Sequence, residues 1–395
     1  MLQFAFVVLL VHYVCAKDIY VSLTGADTGS GSYGDPLSSI QMAVDAAAAG
    51  DTIFLREGTY AVSTNIQIKK NGTADAPIIM TAYDSEIVVL DGEVLPYTPG
   101  ELGETLPDAN RGVLHIEYSN YWRFYRLTLV NGPYGVYMRD SSNNYFEQLT
   151  THDNYESGFQ MQGALTNNQI VYLDSYRNRD PRKNGESADG FACKEGSGEG
   201  NLLKGARLWD NVDDGLDLWE FKSAVTITDT ISWANGFNRW DFDDFEGDGN
   251  GFKLGGGNEG EIGPANHSVT NCIAFGNAAK GFTDNSQTGE FVLSRNTAWM
   301  NGDVGFHFET AVSELSRNIA AMNQNSSTAS DQVSLVGQIS LSNSWDEPET
   351  WTNQSFARID IDLVRGTREE DGRIAASDFL LPQSGVDIGA TTNWQ

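Results

Sequence analysis

The chain has 395 residues, with 25 Lys and Arg against 54 Asp and Glu, so its formal net charge at pH 7 is −29. A chain this acidic is not expected to bind nucleic acid, and it suits a polyanionic partner only where cations or esterification reduce the repulsion. No segment between residues 18 and 395 has the composition of a linker, so we expect residues 17–395 to form one domain that acts as a monomer.

The first 16 residues have the features of a secretory signal peptide. An apolar run over residues 4–10 is followed by a small-residue cleavage motif at residues 14–16. This run is shorter than a membrane-spanning helix requires. We therefore expect a secreted, extracellular protein without a membrane anchor.

The N-terminal part of the mature chain contains short apolar runs and one amphipathic segment. The runs predict strands, bounded by Gly or Asp turns, at residues 18–22, 53–55, 66–68, 78–80 and 88–90. A helix is predicted over residues 38–49, with Ser38 and Gln41 as a capping box and Gly50 as its C-terminal stop. We expect the helix to cover the N-terminal end of a stacked core, and residues 93–110 to form a loop.

From residue 112 onwards the chain repeats. A glycine followed by an apolar residue recurs at Gly158, Gly190, Gly215, Gly251, Gly281 and Gly305. An asparagine recurs at Asn154, Asn178, Asn211, Asn235, Asn277, Asn301 and Asn323, with spacings of 24, 33, 24, 42, 24 and 22 residues. These spacings indicate a stacked coil of about two dozen residues that carries two insertions.

The side chains that follow each glycine alternate in polarity. Positions one and three after the glycine are mostly apolar, and the position between them is mostly polar. This period of two predicts one strand per coil with one buried face, whereas no window between residues 110 and 340 has a sustained helical period. The fold class predicted from the repeat is therefore all-β, a parallel β-helix, which is a solenoid.

Two further features belong to the outside of this stack. Trp209, Trp233 and Trp299 recur two residues before the repeated asparagine, and we expect them to form a packed ladder rather than platforms for sugar rings. The repeat fades after Asn323, and residues 345–395 are expected to be a tail that packs over the last coils.

The repeat brings five charged residues to one side of the stack. Asp189 and Asp214 share the position before the glycine in adjacent coils, and Asp213 is next to them. Asp217 and Lys253 share the second position after the glycine, also in adjacent coils. Residues 179–186 and 236–249 are insertions that precede these coils, so we expect them to form the walls of a site.

Four carboxylates at one place repel each other unless a cation lies among them. A dense set of hard oxygen ligands without His or Cys favours Ca²⁺ and disfavours zinc. The alternative is a solvated acidic face, which is natural in so acidic a chain. A second acidic group, Asp241, Asp243, Asp244, Glu246 and Asp248, does not have the spacing of an EF-hand, and we interpret it as an acidic loop.

Three motifs in this order resemble the family 9 polysaccharide lyases, the pectate lyases that abstract a proton with lysine. They are residues 188–194 (ADGFACK), 211–218 (NVDDGLDL) and 249–256 (GNGFKLGG), followed by residues 280–285 (KGFTDN). The resemblance extends from about residue 18 into the tail and implies a right-handed parallel β-helix. It also implies calcium ligands and a base: the carboxylates of Asp189, Asp213, Asp214 and Asp217, the main-chain carbonyl of Gly215, and Lys253 as the base.

The resulting hypothesis is a secreted calcium-dependent pectate lyase that cleaves polygalacturonate by β-elimination. Lys253 would take the C5 proton of a galacturonate residue, and Lys194 and Lys280 could bind neighbouring substrate carboxylates. Three alternatives remain open: a lyase for another polyuronate, a β-helical glycosidase, and a non-catalytic carbohydrate-binding protein that calcium stabilises.

Overall fold

The computed structural model describes residues 16–258, 260 and 262–393. Residues 1–15, which hold nearly all of the expected signal segment, lie outside this part of the chain. Among the helices of the described residues, none is long and apolar enough to cross a membrane.

The described residues form 32 short strands, with little helix. The strands are β1 Asp18–Val21, β2 Thr52–Leu55, β3 Gly58–Ala61, β4 Ile66–Ile68, β5 Ile78–Ala82, β6 Val88–Asp91, β7 Leu114–Glu117, β8 Trp122–Tyr125, β9 Thr128–Val130, β10 Val136–Arg139, β11 Tyr145–Glu147, β12 Thr150–His152, β13 Phe159–Ala164, β14 Gln169–Val171, β15 Asp174–Tyr176, β16 Phe191–Ser197, β17 Asn201–Lys204, β18 Arg207–Trp209, β19 Leu216–Asp217, β20 Val225–Thr228, β21 Ile231–Trp233, β22 Phe252–Lys253, β23 Ser268–Thr270, β24 Ile273–Phe275, β25 Phe282–Thr283, β26 Glu290–Ser294, β27 Thr297–Trp299, β28 Phe306–Phe308, β29 Val312–Ser316, β30 Ile319–Ala321, β31 Val333–Leu335 and β32 Ile339–Leu341. The α-helices are α1 Ile40–Ala46 and α2 Asp362–Arg365, and 3₁₀ turns occur at Asp108–Asn110, Asn323–Asn325, Ala329–Asp331 and Asn353–Ser355.

The strands pair in parallel into three long sheets, which we number 1 to 3. Sheet 1 has 12 strands and includes β1 and β32, sheet 2 has 10 and runs from β4 to β31, and sheet 3 has 10 and runs from β3 to β30. Through most of the chain, every third strand joins the same sheet, so each coil contributes one strand to each of three faces. The predicted all-β parallel β-helix is confirmed.

Large apolar side chains fill the inside of the stack at the predicted positions. Phe159, Phe191 and Leu216, each one residue after its glycine, are at most 1% exposed. The same column continues as stacked rings, with ring centroids 4.6 Å apart for Phe252 and Phe282. Burial of such side chains contributes on the order of 2 kcal/mol each, so this column is a main source of the stability of the stack.

The repeated asparagines form a ladder at the bend that precedes sheet 2. The main-chain N–H and the side-chain amide of Asn211 both donate to Asn235 Oδ1, each at 3.0 Å. The same pair of bonds links Asn235 to Asn277. The ladder extends from Asn154 to Asn323, and its asparagines are at most 1% exposed. These bonds satisfy polar groups that the inside of the bends would otherwise bury without partners.

The N-terminal helix is shorter than predicted and has a different cap. It spans Ile40–Ala46, and its N-cap is Ser39, whose hydroxyl accepts a hydrogen bond from the main-chain N–H of Met42. Ser38 instead bonds to Asp27, and the Gln41 side chain bonds to the backbone of Gln67, so no capping box forms. The predicted N-terminal strands are present to within two residues, and β3 is an additional strand.

The C-terminal tail covers more of the stack than predicted. Its apolar residues Trp351, Phe356 and Phe379 pack on sheet 3 against a column that includes Trp233 and Trp299. This column is a ladder of parallel rings, as predicted; for example, the rings of Trp209 and Trp233 lie 4.9 Å apart. The tail does not stop at the last coils but continues back along sheet 3, where Arg368 reaches partners near the middle of the stack.

A buried ion cluster anchors the tail at that point. Arg207 donates to Asp174 at 2.6 and 2.7 Å and to the carbonyl oxygen of Gly366 at 2.6 Å. Arg368 of the tail donates to Asp174 at 2.6 and 3.1 Å and to the carbonyl oxygen of Gly205 at 3.0 Å. Burial alone would raise the pKa of Asp174, but Arg368 and Arg207 outweigh it and lower the pKa.

Replacing Arg368 with Met should lower the free energy of unfolding by about 1.5–3 kcal/mol, because the buried Asp174 loses one of its two arginine partners and keeps only Arg207. The matched control is Arg373→Met, which removes an arginine that is 42% exposed and pairs with Asp371 inside the tail; its cost should stay within about 1 kcal/mol. Guanidinium denaturation measures both values. Equal losses in the two variants would contradict the anchoring role of Arg368.

Candidate active site

The strand register in sheet 2 brings Asp217 and Lys253 together as predicted. β16, β19 and β22 are neighbours in this sheet, and Ala192, Asp217 and Lys253 occupy matching positions on them. Their side chains face outward from the stack, yet Asp217 and Lys253 are only 1% and 6% exposed. Outward-facing residues are buried here because the inserted segments fold over this part of sheet 2.

The four predicted aspartates lie at this point, and all are at most 1% exposed. Carboxylate oxygens of Asp189, Asp214 and Asp217 lie within 4.8 Å of one another. Asp213 belongs to a second group with Asp214 and Asp248, whose oxygens are equally close. The two groups share Asp214, so the carboxylates form one continuous cluster.

Asp248 is a residue of the site that the sequence pattern assigned to an acidic loop. Its main-chain N–H donates to Asp213 Oδ1 at 2.6 Å, and its Oδ2 lies 2.7 Å from Lys253 Nζ. The interpretation as a plain acidic loop is therefore wrong for Asp248, although the carboxylate is 56% exposed. The sequence places Asp248 five residues before Lys253, which could have indicated a role in the site. Its contact with the cluster, however, depends on the conformation of the loop.

Two lysines neutralise part of the cluster. Lys253 Nζ lies 3.3 Å from Asp214 Oδ2 and 3.5 Å from Asp217 Oδ2. Lys194 Nζ lies 2.8 Å from Asp189 Oδ2 and 2.7 Å from Asp217 Oδ2. Lys194, predicted to bind substrate, thus has its ammonium group engaged with the cluster itself.

The other two predicted site residues lie differently. Lys280 is not among the residues that line the cleft, and its Nζ is 3.9 Å from Asp303. The carbonyl oxygen of Gly215 accepts a sheet hydrogen bond from the N–H of Phe191 at 3.0 Å. Because a carbonyl oxygen has a second lone pair, its role as a metal ligand stays a prediction, as does substrate binding by Lys280.

Burial and mutual repulsion change the acidity of these groups. Burial raises the pKa of Asp189 to about 6 and that of Asp214 to about 7, and it also raises the pKa of Asp213. For Asp217, Lys194 and Lys253 outweigh burial, so its pKa is lowered. For Lys253, burial opposes the charged form, but the surrounding carboxylates, Asp217 and Asp214 foremost, outweigh it and raise the pKa.

The donor set fits a hard divalent cation. Asp189 Oδ1 and Asp214 Oδ2 are buried and accept no hydrogen bond. A buried carboxylate oxygen that accepts no hydrogen bond lowers the stability of the fold, and a cation bound between these two oxygens would satisfy both. All donors of the cluster are oxygen atoms, which is the ligand type of Ca²⁺ and Mg²⁺ rather than of zinc.

The cluster borders a cleft of about 630 Å³, which it lines through Asp217 and Asp248. Both insertions contribute to its walls, with Lys183 and Glu186 from the first and Glu246 and Asp248 from the second. Trp219, which sequence reasoning did not single out, also lines the cleft, and its ring centroid is 5.5 Å from Lys253 Nζ. A polar, open cleft of this size can accept several sugar units.

Comparisons with known proteins agree with this architecture. Residues 19–325 match the family described as "Pel9A-like, right handed beta helix region". The chain is 61% identical to pectate lyase PEL9 of Emericella nidulans over 96% of each chain, and 31% identical to pectate lyase L of Dickeya chrysanthemi over 94% of this chain and 85% of that protein. The crystal structure of pectate lyase Pel9A superposes with a TM-score of 0.79 at 29% identity, covering 94% of this chain and 90% of that one. These matches confirm the right-handed parallel β-helix.

The stability of the metal-free protein should fall as the pH rises from about 5 to about 8. The folded-state pKa values of Asp189 and Asp214, about 6 and about 7, lie above the unfolded value of about 3.9, so the folded protein holds protons that the unfolded chain has lost. In this range Asp217 is ionised and both lysines are protonated in either state, so they add no slope. Asp180 and Glu156, whose pKa values burial raises to about 6 and about 8, add to the fall. His267, whose pKa burial lowers to about 3, opposes the fall below its unfolded value of about 6.5, so the decrease should be steepest between about pH 6.5 and pH 8.

Melting temperatures in chelator at several pH values measure this slope. Asp214→Asn should reduce it, because the variant removes one of the groups that loses a proton in this range. A melting temperature that rises from pH 5 to pH 8 in chelator would contradict the assignment.

Proposed function

The chain belongs to the Pel9A-like right-handed β-helix family of polysaccharide lyases, and we propose that it is a secreted, calcium-dependent pectate lyase. The substrate is polygalacturonate, and the enzyme cleaves the α-1,4 bonds of this polysaccharide by β-elimination. The observation that carries the proposal is the position of Lys253, one strand beyond Asp217 and within 3.5 Å of two carboxylates of the cluster. The names of its relatives, pectate lyases at up to 61% identity, support the same substrate.

Calcium would be held by the carboxylates of Asp189, Asp213, Asp214 and Asp217. When bound, it would supply positive charge to the uronate carboxylate and to the anion that develops at C5. The two buried oxygens that accept no hydrogen bond, Asp189 Oδ1 and Asp214 Oδ2, are the ligand atoms that most need such a partner, although Asp214 Oδ2 also lies 3.3 Å from Lys253 Nζ. Asp248 is a further candidate ligand through its group with Asp213 and Asp214.

Lys253 takes the C5 proton as a neutral amine. The electron pair of the C5–H bond forms the C4–C5 double bond, and the C4–O bond breaks with its electron pair leaving on oxygen, which takes a proton from solvent. In the metal-free protein, Asp214, Asp217 and Asp248 hold Lys253 in its charged form. Carboxylates that are engaged with a cation attract the ammonium group less, so the same residues bind metal and set the protonation of the base.

The arrangement is less suited to glycoside hydrolysis. A glycosidase needs two carboxyl groups about 5 Å or more apart, with a clear path for the sugar between them. Here Asp189, Asp214 and Asp217 form one buried group with Lys253 beside them, rather than a separate pair of carboxyl groups facing each other across the cleft. Lys253 lines the cleft as well as contacting the cluster, so its amine can reach a bound sugar, which favours a catalytic role over a purely binding one.

Replacing Lys253 with Ala should lower kcat by about 10²–10⁴-fold, because proton abstraction loses its base. The assay is the ultraviolet absorbance of the unsaturated product from polygalacturonate, with calcium and then with chelator, which should stop the wild-type reaction. Lys69→Ala is the matched control, since this lysine is 55% exposed and pairs with Glu117. A Lys253→Ala enzyme that kept more than about a tenth of the wild-type rate would contradict the assigned base.

Calcium should also stabilise the fold. At a hundredfold excess over its Kd it adds about 2.7 kcal/mol, which corresponds to a rise of roughly 5 °C in melting temperature. The gain should be larger at pH 8 than at pH 5, where protons compete for the cluster, and it should be lost in Asp214→Asn. Asp303→Asn is the control, because Asp303 is 46% exposed and not part of the cluster. An equal gain in all three proteins would place the ion elsewhere.

A further inference from the structure

Two cations line the cleft apart from the carboxylate cluster. Arg111 and Lys183 share the cleft with Asp217 and Lys253, but neither is paired with an aspartate of the cluster. The other lysines that line the cleft, Lys194 and Lys253, are both paired with it. Arg111 and Lys183 are therefore the cleft cations of the described chain that the cluster does not use.

The guanidinium group of Arg111 is held in a fixed position. Its Cζ lies 5.3 Å from the ring centroid of Tyr137, and its side chain is 25% exposed. Nη1 is 3.3 Å from both Tyr137 Oη and Gln162 Oε1, and Nη2 is 3.0 Å from Asp108. Nε is buried and has no hydrogen-bond partner. A planar donor group that is positioned in advance, and whose Nη1 bonds are long, suits a carboxylate ligand.

The surrounding wall keeps this position in place. The loop over residues 93–110 packs against the first insertion, where the N–H of Gly103 donates to the carbonyl oxygen of Arg182 at 2.8 Å. Lys183, in the same insertion, is 55% exposed, and its Nζ is 3.1 Å from Ser187 Oγ. Arg111 and Lys183 thus both line this part of the cleft, one beside the loop and one in the insertion.

These cations lie on the N-terminal side of Lys253. Gln162, which Arg111 contacts, is on β13, and β13 is three strands before β22 in sheet 2. Three strand spacings of about 4.8 Å correspond to roughly 14 Å along the stack. A strand spacing is close to the length of one sugar unit, so a polymer lying along sheet 2 would reach Arg111 a few units away from the residue at Lys253.

The acidic groups of this part of the cleft do not cancel these charges. Arg111 pairs with Asp108 at 3.0 Å and Lys183 pairs with Glu186 at 3.6 Å, but Asp108 is 63% exposed and Glu186 is 55% exposed, so solvent screens both pairs. Glu156 is buried, and burial together with the neighbouring Asp180 raises its pKa to about 8, so it is uncharged at neutral pH. Two cleft cations whose own acidic partners are exposed can exchange those partners for the carboxylates of an anionic polymer, even in a chain of net charge −29.

We propose that Arg111 and Lys183 form a carboxylate-binding subsite for a uronate unit in the N-terminal arm of the cleft. The inference rests on the proposed function, because it takes a polyuronate as the ligand and Lys253 as the point of cleavage. It implies that substrates long enough to reach Arg111 bind more tightly than short ones.

Steady-state kinetics on polygalacturonate and on oligogalacturonates of increasing length test this subsite. Arg111→Gln should raise KM for the polymer about tenfold and Lys183→Gln about threefold, with kcat within about twofold, because the contacts lie away from the reacting atoms. Arg111→Lys should be intermediate, and oligomers too short to reach Arg111 should show no change. Arg123→Gln is the matched control, since Arg123 is exposed on β8 in sheet 1.

An unchanged KM on the polymer, or an equal rise at every length, would overturn the subsite. If Arg111→Gln melts at a much lower temperature, the exposed Lys183 decides the question through Lys183→Gln. Calorimetric binding of a long oligogalacturonate in the Lys253→Ala background separates the two proposals. Affinity that depends on Arg111 supports the subsite even if the wild type is no lyase, and affinity that does not depend on it overturns the subsite even if the wild type is an active lyase.

Discussion

The asparagine ladder fixes the register of the coils on which the whole site depends. Each asparagine binds the next coil through two hydrogen bonds at one bend. Extra residues can therefore be inserted only between the bends, and the chain must return to the same ladder position after each insertion. The two long spacings, Asn178 to Asn211 and Asn235 to Asn277, keep ladder bonds of 2.8 and 2.9 Å. Insertions can therefore build the walls of a cleft without moving Asp217 or Lys253 out of register.

The rigid stack also makes an unfavourable charge arrangement possible. Burying the carboxylates of Asp189, Asp213 and Asp214 raises their pKa values and thus costs stability above neutral pH. Lys194 and Lys253 offset part of this cost, and the aromatic column inside the stack supplies the rest of the stability. Strain of this kind at one place in an otherwise regular fold is typical of a functional site.

Much of this could be predicted from the sequence, because the repeat is local and strict. Inward phenylalanines and ladder asparagines must occupy set positions in each coil. Counting residues from the repeated glycine also places Asp217 and Lys253 at the same position on adjacent strands. Contacts made by irregular segments were not predictable in this way. Asp248 reaches the site because an inserted loop brings it to Asp213 and Lys253, and Arg111 follows a loop that packs on an insertion far along the chain. The choice of Ser39 over Ser38 as helix cap likewise depends on a side-chain contact with Asp27.

The central claim is that one cluster both binds calcium and presents the substrate to Lys253. Anomalous X-ray diffraction from crystals of Lys253→Ala grown with calcium and an oligogalacturonate tests it most directly. The account predicts an anomalous peak bounded by Asp189, Asp213, Asp214 and Asp217, with a uronate carboxylate on it and C5 facing position 253. A calcium peak away from these carboxylates, or a uronate whose C5 faces away from position 253, would contradict it.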